Sequence, residues 1–387
     1  MQTKRRLCLV AVTSLPLTIM LDGCAAAARV ATTSTAFNAV VDASYSGVIG
    51  AIADGIANYK TLQQALDVAP GNSATPWRIQ LRDGRYYEKL DVVKPNIHLV
   101  GESRNKTVVT FDAYAGQARA GATGSRANWT TFGCATLIVH ATDFAASNLT
   151  IENGYHYLAN DGKAATDPTR TNDPQAVALM TTGSSDRAFF SDVTITGYQD
   201  TLFVDAGRNY FRNCAISGGV DFIFGAGQTV FETCEIVTRS RTKPNVFPIG
   251  YVTAPSTQIR HQFGLVFIRC KLLKESALVP AHSTALGRPW HPAVNMPDGR
   301  YADPNAIGSS VFIECFMDDH IIVDGWFSMT GQQKSGPDRA VFLPEDSRFF
   351  EHKSTGPGAT VNRKRRQLSD AQAADYTSAN VLRGWQP

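Results

Sequence analysis

Two aspartates in similar surroundings stand 21 residues apart, in Gly197-Tyr198-Gln199-Asp200-Thr201-Leu202-Phe203 and in Gly218-Gly219-Val220-Asp221-Phe222-Ile223-Phe224-Gly225. Each sits among aromatic, glycine and aliphatic residues, where an isolated carboxylate is costly to keep ionised. Two such groups brought close together cannot both ionise freely at neutral pH, so one holds a proton and the other is left as base or nucleophile. A lone aspartate serves equally well to cap a turn. The matched spacing, and Gln199 beside the first carboxylate, favour an acid and nucleophile pair, provided that the fold superposes them.

A repeat in the chain supplies such a fold. Ala146-Ser147-Asn148-Leu149-Thr150-Ile151, Phe190-Ser191-Asp192-Val193-Thr194-Ile195, Phe211-Arg212-Asn213-Cys214-Ala215-Ile216 and Phe231-Glu232-Thr233-Cys234-Glu235-Ile236 share one pattern with Phe267-Ile268-Arg269-Cys270-Lys271-Leu272 and Phe312-Ile313-Glu314-Cys315-Phe316-Met317. Apolar and polar residues alternate within each, as in a half-buried strand. The fourth positions fall at 149, 193, 214, 234, 270 and 315. Steps of 21 and 20 read as one rung each, the step of 44 as two, and the last two steps as rungs with insertions. Strands that recur every twenty-odd residues bury their inner faces by stacking. The pattern predicts an all-β protein, a single-stranded right-handed parallel β-helix. A β-sandwich is the rival, but its strands usually lie closer together in sequence, joined by hairpin turns. In the solenoid, a separation of 21 puts Asp200 and Asp221 one above the other at the strand spacing of about 4.8 Å.

Short helices are expected near both ends, capping the solenoid. Thr61 with Gln64, and Ser369 with Gln372, carry the capping-box spacing of a helix start. No biased linker divides the chain, so residues 38–387 read as one catalytic domain, and a capped solenoid is expected to be a monomer. The basic run Arg363-Lys364-Arg365-Arg366 reads as a solvated patch, with only a weak hint of an acidic polymer as partner.

The 387 residues are 43% hydrophobic, enough for a large core, and 37 Lys and Arg against 34 Asp and Glu leave a charge of +3. So small a surplus argues against nucleic acid as a partner. Lys4, Arg5 and Arg6 precede the apolar stretch from Leu7 to Leu21, the pattern of an export signal over 1–24, with 25–37 as a short tether. Leu21-Asp22-Gly23-Cys24 resembles a lipobox with Asp22 as a poor fit, and Ala25 to Ala28 offers ordinary cleavage instead. The chain is thus expected to be exported, either secreted or anchored to the outer membrane through lipidated Cys24. Removing 1–24 leaves about +1. Later apolar runs are all interrupted by charge and fall short of the roughly 20 residues that a bilayer crossing needs. Cys134, Cys214, Cys234, Cys270 and Cys315 remain after the signal, an odd number, most of them expected as small buried hydrophobes.

With the motifs set in order, the chain resembles the pectin methylesterases, or pectinesterases. The resemblance rests on Gln175-Ala176-Val177-Ala178-Leu179, Gly-Tyr-Gln-Asp-Thr-Leu-Phe from Gly197, Val-Asp-Phe-Ile-Phe-Gly from Val220, and Leu286-Gly287-Arg288-Pro289-Trp290. Gly84-Arg85-Tyr86-Tyr87-Glu88, Asp324-Gly325-Trp326 and Gly384-Trp385 add to it, so that it covers nearly everything after about residue 40. It implies a right-handed parallel β-helix, in agreement with the repeat, and methyl-esterified pectin as substrate. Asp221 would be the nucleophile on the methyl ester carbonyl, and Asp200 the acid for methanol and then the base for water. Gln175 and Gln199 would donate amide N–H groups to the oxyanion, and Arg288 would hold Asp221 ionised. Thr131, Phe203, Phe224 and Trp290 would line the sugar-binding cleft, although Trp290 and both phenylalanines suit the core as well.

No cofactor and no metal is implied, and His and Cys show no ligand spacing. Phe203 stands where many members have tyrosine. Cys214 and Cys234, 20 apart, match a bridge of bacterial members, while stacked inward cysteines can also stay reduced. Alternatives on the same scaffold are an esterase or thioesterase for another substrate, a lyase or polygalacturonase, and a non-catalytic binder of polygalacturonate. Gln175, Gln199, Arg288 and Trp290 together favour pectin, and the paired aspartates favour catalysis.

Overall fold

Phenylalanine opens five of the six repeated segments, and these rings show how the segments meet. In the computed structural model, which describes residues 36–124, 127–242, 246–336 and 338–387, Phe190, Phe211, Phe231, Phe267 and Phe312 are register partners on successive parallel strands. Their rings stack at 4.6, 5.0, 4.5 and 4.5 Å between centroids. Offset aromatic stacking at the strand spacing adds to the burial of each ring, so the ladder favours this register over a slipped one. The export signal 1–24, Cys24 and the tether up to residue 35 lie outside the described residues.

Each repeated segment turns a corner and is not one strand. Its first two residues end a strand, its last two begin the next, and its third residue takes the left-handed conformation. Asn148, Asp192, Asn213, Thr233, Arg269 and Glu314 all have φ between 51 and 57°. Asn and Asp accept this conformation most readily, which explains half of these positions. The corner also shifts the inward phase: Phe211, Cys214 and Ile216 are all buried, at positions one, four and six. Straight alternation would have buried every second residue.

The corners bend the chain into three sheets of 12, 8 and 7 strands among the described residues, parallel apart from the hairpin of Ile52–Ala53 with Ile56–Tyr59. The architecture is the parallel β-helix, with Ala188–Ser191, Thr194–Thr196 and Leu202–Val204 as one rung through the first, second and third face. The step of 44 is one rung, since Ala146 pairs directly with Phe190, and residues 154–178 are an insertion within it. Cys214, Cys234, Cys270 and Cys315 form an inward column of free, buried thiols. The bridge between Cys214 and Cys234 is therefore not formed. Each thiol donates to one carbonyl of its own rung and one of the preceding rung, Cys214 to Arg212 and Phe190, Cys234 to Glu232 and Phe211.

Helix Leu62–Val68 closes the first rungs, burying Leu62, Ala65 and Leu66 against the core. Its capping box is formed by Thr61 and Gln64, and Glu88 accepts hydrogen bonds from the backbone N–H of Leu62 and Gln63 at 2.8 and 2.9 Å. The carboxylate thus satisfies two of the helix's free donors. The second capping box, at Ser369 and Gln372, starts helix Asp370–Ala373. That helix and Ser378–Val381 lie along the first sheet, where Val381 and Leu382 pack on Tyr210, Val230 and Val266.

Closure of the last rungs falls instead to Trp326, Phe349 and a buried ion pair from the basic run. Arg365 is 1% exposed; its guanidinium holds both carboxylate oxygens of Glu351, at 2.7 and 2.5 Å, and donates to the Gly358 carbonyl at 2.6 Å. The run is therefore not uniformly solvated. A turn closed by the Arg365 N–H on the Asn362 carbonyl at 3.0 Å directs Arg365 inward at the end of the solenoid, and only a fully bonded guanidinium can be buried there. Replacing Arg365 by Met strands the Glu351 charge and should lower unfolding stability by about 3–5 kcal/mol. Glu351→Leu added to it should recover most of that loss, as read by the urea midpoint.

Candidate active site

The cleft on the third face follows from where the loops are short. Between the second and third faces the chain makes long excursions at 112–136, 154–178 and 239–249, but only tight turns at 197–201 and 219–222. Long loops thus rise on either side of two adjacent low turns, and those turns carry the aspartates. The resulting cleft, about 420 Å³, is lined by Thr131, Gln175, Gln199, Asp200, Asp221, Phe224, Arg288 and Trp290. A larger cavity, about 660 Å³, includes Asp186, Arg208, Gln258 and Asp303. There Arg208 pairs with Asp186 and Gln258 with Asp303, while Asp200 and Asp221 line the smaller cleft, so volume alone does not locate the chemistry.

Asp200 and Asp221 are superposed. Gln199 bridges Val220 in parallel, and Leu202 and Phe203 pair with Ile223 and Phe224, so residues 200 and 221 are register partners at the strand spacing, about 4.8 Å. Both occupy left-handed corners, with φ of 62 and 48°. They do cap turns, as aspartates in that conformation can, and they face the cleft as well. The Asp200 N–H donates to the Val220 carbonyl at 3.0 Å, which ties the two turns together.

Their environments differ sharply. Arg288 grips Asp221 from the side, Nε to Oδ1 at 2.8 Å and Nη2 to Oδ2 at 2.5 Å, a two-bond fork that keeps the carboxylate charged and oriented. The guanidinium lies over the Tyr251 ring at 3.9 Å. Burial opposes the charge on Arg288, yet Asp221 holds its pKa above the ordinary value. Asp200 is ion-paired to nothing among the described residues. Burial first, and then the neighbouring Asp221 charge, push its carboxyl well above the ordinary range, against a smaller opposing pull from Arg288. One carboxylate is thus forked to a guanidinium while burial and its neighbour favour the neutral form of the other, an asymmetry that suits acid and nucleophile chemistry.

The two glutamines border this pair. The backbone joins their rungs through Ala176 N–H to the Gln199 carbonyl at 3.0 Å. Gln199 Oε1 accepts from the Tyr157 hydroxyl at 3.5 Å, and Gln175 Oε1 is buried without a partner. The Nε2 group of neither donates to another described residue, so both amides keep N–H groups for a ligand.

Among the apolar candidates, Phe224 and Trp290 line the cleft as expected, their rings 5.6 Å apart and edge to face. Phe203 does not. It is wholly buried, stacked on Phe224 at 4.2 Å and covered by Phe132 at 5.2 Å, so it supports the cleft floor from beneath. Thr130, Phe132, Ala254 and Met329 line the cleft unforeseen. Ala254 is opposite Phe224 in the sheet, but the insertion ahead of its strand hides that register in the sequence. Tyr157, which comes from the 154–178 insertion and stacks on Tyr198 at 5.3 Å, carries no periodic signal either.

Comparison with known proteins agrees with this geometry. The pectinesterase family profile matches residues 48–385. Pectinesterase A of Dickeya dadantii is 47% identical over 94% of this chain and 95% of its own. A crystal structure of a pectin methylesterase in complex with a hexasaccharide superposes with a TM-score of 0.85 at 46% identity, covering 92% of this chain and 99% of that one. The carrot pectin methylesterase gives 0.66 at 27% identity, over 91% and 95%. Fold, paired aspartates and sequence likeness lead to one conclusion: the chain belongs to the pectinesterase family.

Proposed function

We infer that this protein is a carboxylic ester hydrolase that removes methyl esters from the galacturonosyl units of pectin, through an acyl group carried on Asp221. The observation that carries the reading is the register pairing of Asp200 with Asp221, the one pushed toward its neutral form by burial and the other forked to Arg288. The solved relative with a bound hexasaccharide supports a sugar polymer in the cleft.

Asp221 attacks the C6 ester carbonyl, and the carbonyl electron pair moves onto oxygen. Gln175 and Gln199, whose amide N–H groups are uncommitted, donate to that oxyanion without titrating. As the carbonyl re-forms, the bond to methoxide breaks and Asp200 gives its proton, so methanol leaves. Asp200, now ionised, takes a proton from water as the water attacks the acyl group. The second collapse frees the Asp221 carboxylate and a galacturonic acid that passes its proton to solvent, and Asp200 is protonated again. Trp290 and Phe224 offer apolar faces to the sugar ring, with Thr131 at the rim.

Export is part of this proposal and rests on the sequence of 1–24 alone. The mass of the mature N-terminus distinguishes a lipidated Cys24 from cleavage in Ala25 to Ala28.

With highly methylated pectin, the protein should release methanol and acidify the medium while viscosity holds. A fall in viscosity or an unsaturated product would mean depolymerisation instead. Asp221→Asn and Asp200→Asn should each cut turnover by roughly 10³-fold or more without loss of fold; near-normal methanol release by either would refute its role. Arg288→Lys keeps the charge but not the fork, and should lower kcat by about 10- to 100-fold, a loss of about 1.4–2.7 kcal/mol.

The raised Asp200 pKa also marks stability. Between the unfolded value of 3.8 and the higher folded one, the native state binds a proton that the unfolded chain releases, so stability falls as pH rises through that window. Asp200→Asn should flatten that fall, giving a higher Tm than the native sequence on the alkaline side and little difference near pH 4. Parallel pH dependences for the two proteins would show that Asp200 is not protonated in the native state.

A further inference from the structure

The cleft runs across the strands, along the axis of the solenoid. Its polar residues follow the third face from rung to rung: Gln175 just before Leu179–Thr181, Asp200 before Leu202–Val204, Asp221 before Ile223–Gly225 and, past the intervening strand Gly250–Pro255, Arg288 after Thr284–Gly287. One rung beyond, Gly287 pairs with Trp326 and the Phe327 N–H donates to the Gly287 carbonyl at 3.0 Å, so Phe327 is the register neighbour of Arg288. A second cavity, about 470 Å³, opens at this point, and Trp326, Phe327 and Phe349 line it together with Arg363, Lys364 and Arg366. The segment Phe327-Ser328-Met329 belongs to both spaces: Met329 lines the cleft, Phe327 and Ser328 the second cavity.

The charges here are only partly spent. Arg363 is exposed and makes no hydrogen bond or ion pair among the described residues. Lys364 pairs with Asp324 at 2.5 Å, with both side chains at least half exposed. Arg366 donates to the Pro344 and Ser347 carbonyls and lies over the Phe350 ring at 4.7 Å, bonded to no carboxylate. Glu345 also borders the cavity, so the surplus is one positive charge. Cations beside the half-buried Phe327 ring, at the end of a groove that follows a polymer, suit an anionic sugar.

We propose that this basic cavity is a subsite for ionised galacturonate units, lying several units along the same polymer from the ester that reacts. The proposal rests on the reading of the cleft as a pectin site. Arg363 and Lys364 thereby act selectively, favouring chains that already carry free carboxylates, the product of the reaction itself.

The test compares a fully methyl-esterified pectin with one about half esterified. For the double variant Arg363→Gln/Lys364→Gln, the ratio of KM on the half-esterified to KM on the fully esterified substrate should rise about 3- to 10-fold, as for two exposed charge contacts. Asp324→Asn, which frees Lys364, should move the ratio the other way. An unchanged ratio, or an equal shift from the distant pair Lys106→Gln/Lys271→Gln, would overturn the proposal. Calorimetry with an unesterified oligogalacturonate decides the matter independently of turnover. The double variant should bind it about 3- to 10-fold more weakly, and equal binding would refute the subsite. If the unaltered chain released no methanol from either pectin, the reading of the cleft would fail, and the calorimetric result would still stand for or against the subsite.

Discussion

Two carboxyl groups held at the strand spacing of a parallel sheet is the constraint on which the site depends. Because register partners in a β-helix repeat at a fixed interval, Asp200 and Asp221 cannot drift apart without unpairing Leu202 from Ile223 and Phe203 from Phe224. Like charges at that distance, in a setting that excludes water, force one group to stay protonated. The single arginine fork on Asp221 decides which. The division of labour therefore needs no difference in residue type, only a difference in neighbours.

The rest of the molecule supplies rigidity to that pair. Stacked phenylalanines and the thiol column fill the interior behind the first face, and Phe203, stacked beside Phe224 and covered by Phe132, packs the cleft floor. Cores of this density transmit displacement rather than absorb it, so the aspartates inherit the precision of the whole stack. The cleft itself comes from omission: two adjacent turns are short where the neighbouring excursions are long. Tyr157 ties one of those excursions to the site through Tyr198 and Gln199.

The basic run shows how one stretch of charge divides among several roles. Arg365 turns inward and closes the solenoid with Glu351, while Arg366 satisfies backbone carbonyls and Arg363 and Lys364 stay outside. A helical or extended surface segment would have kept all four in water. What separates them is a turn, closed by the Arg365 N–H on the Asn362 carbonyl, that leaves Arg363 and Lys364 in water and directs Arg365 at the open end of the core, where a charged side chain must find a full set of partners.

Much of this was legible in advance because a solenoid writes its geometry into its period. The spacing of 21 predicted the superposition of Asp200 and Asp221, and the capping boxes at Thr61 and Ser369 predicted two helix starts, since both signals are local or strictly periodic. The insertions were not legible. The step from 149 to 193 looked like two rungs because length alone cannot distinguish a second coil from a loop. For the same reason Tyr251, Ala254 and Met329 escaped notice, each lying beyond an insertion that breaks the count. Nor could alternation reveal that the repeated segments are corners, a matter of one backbone torsion at the third residue. The fold and the superposition of the two aspartates were already written in the order of residues, because both follow from a repeat that neighbouring rungs must obey. Which aromatics face the cleft, which arginine is buried and which thiols stay free emerged from the folded chain alone, because these depend on where long loops fold back and on which side of the chain is left without water.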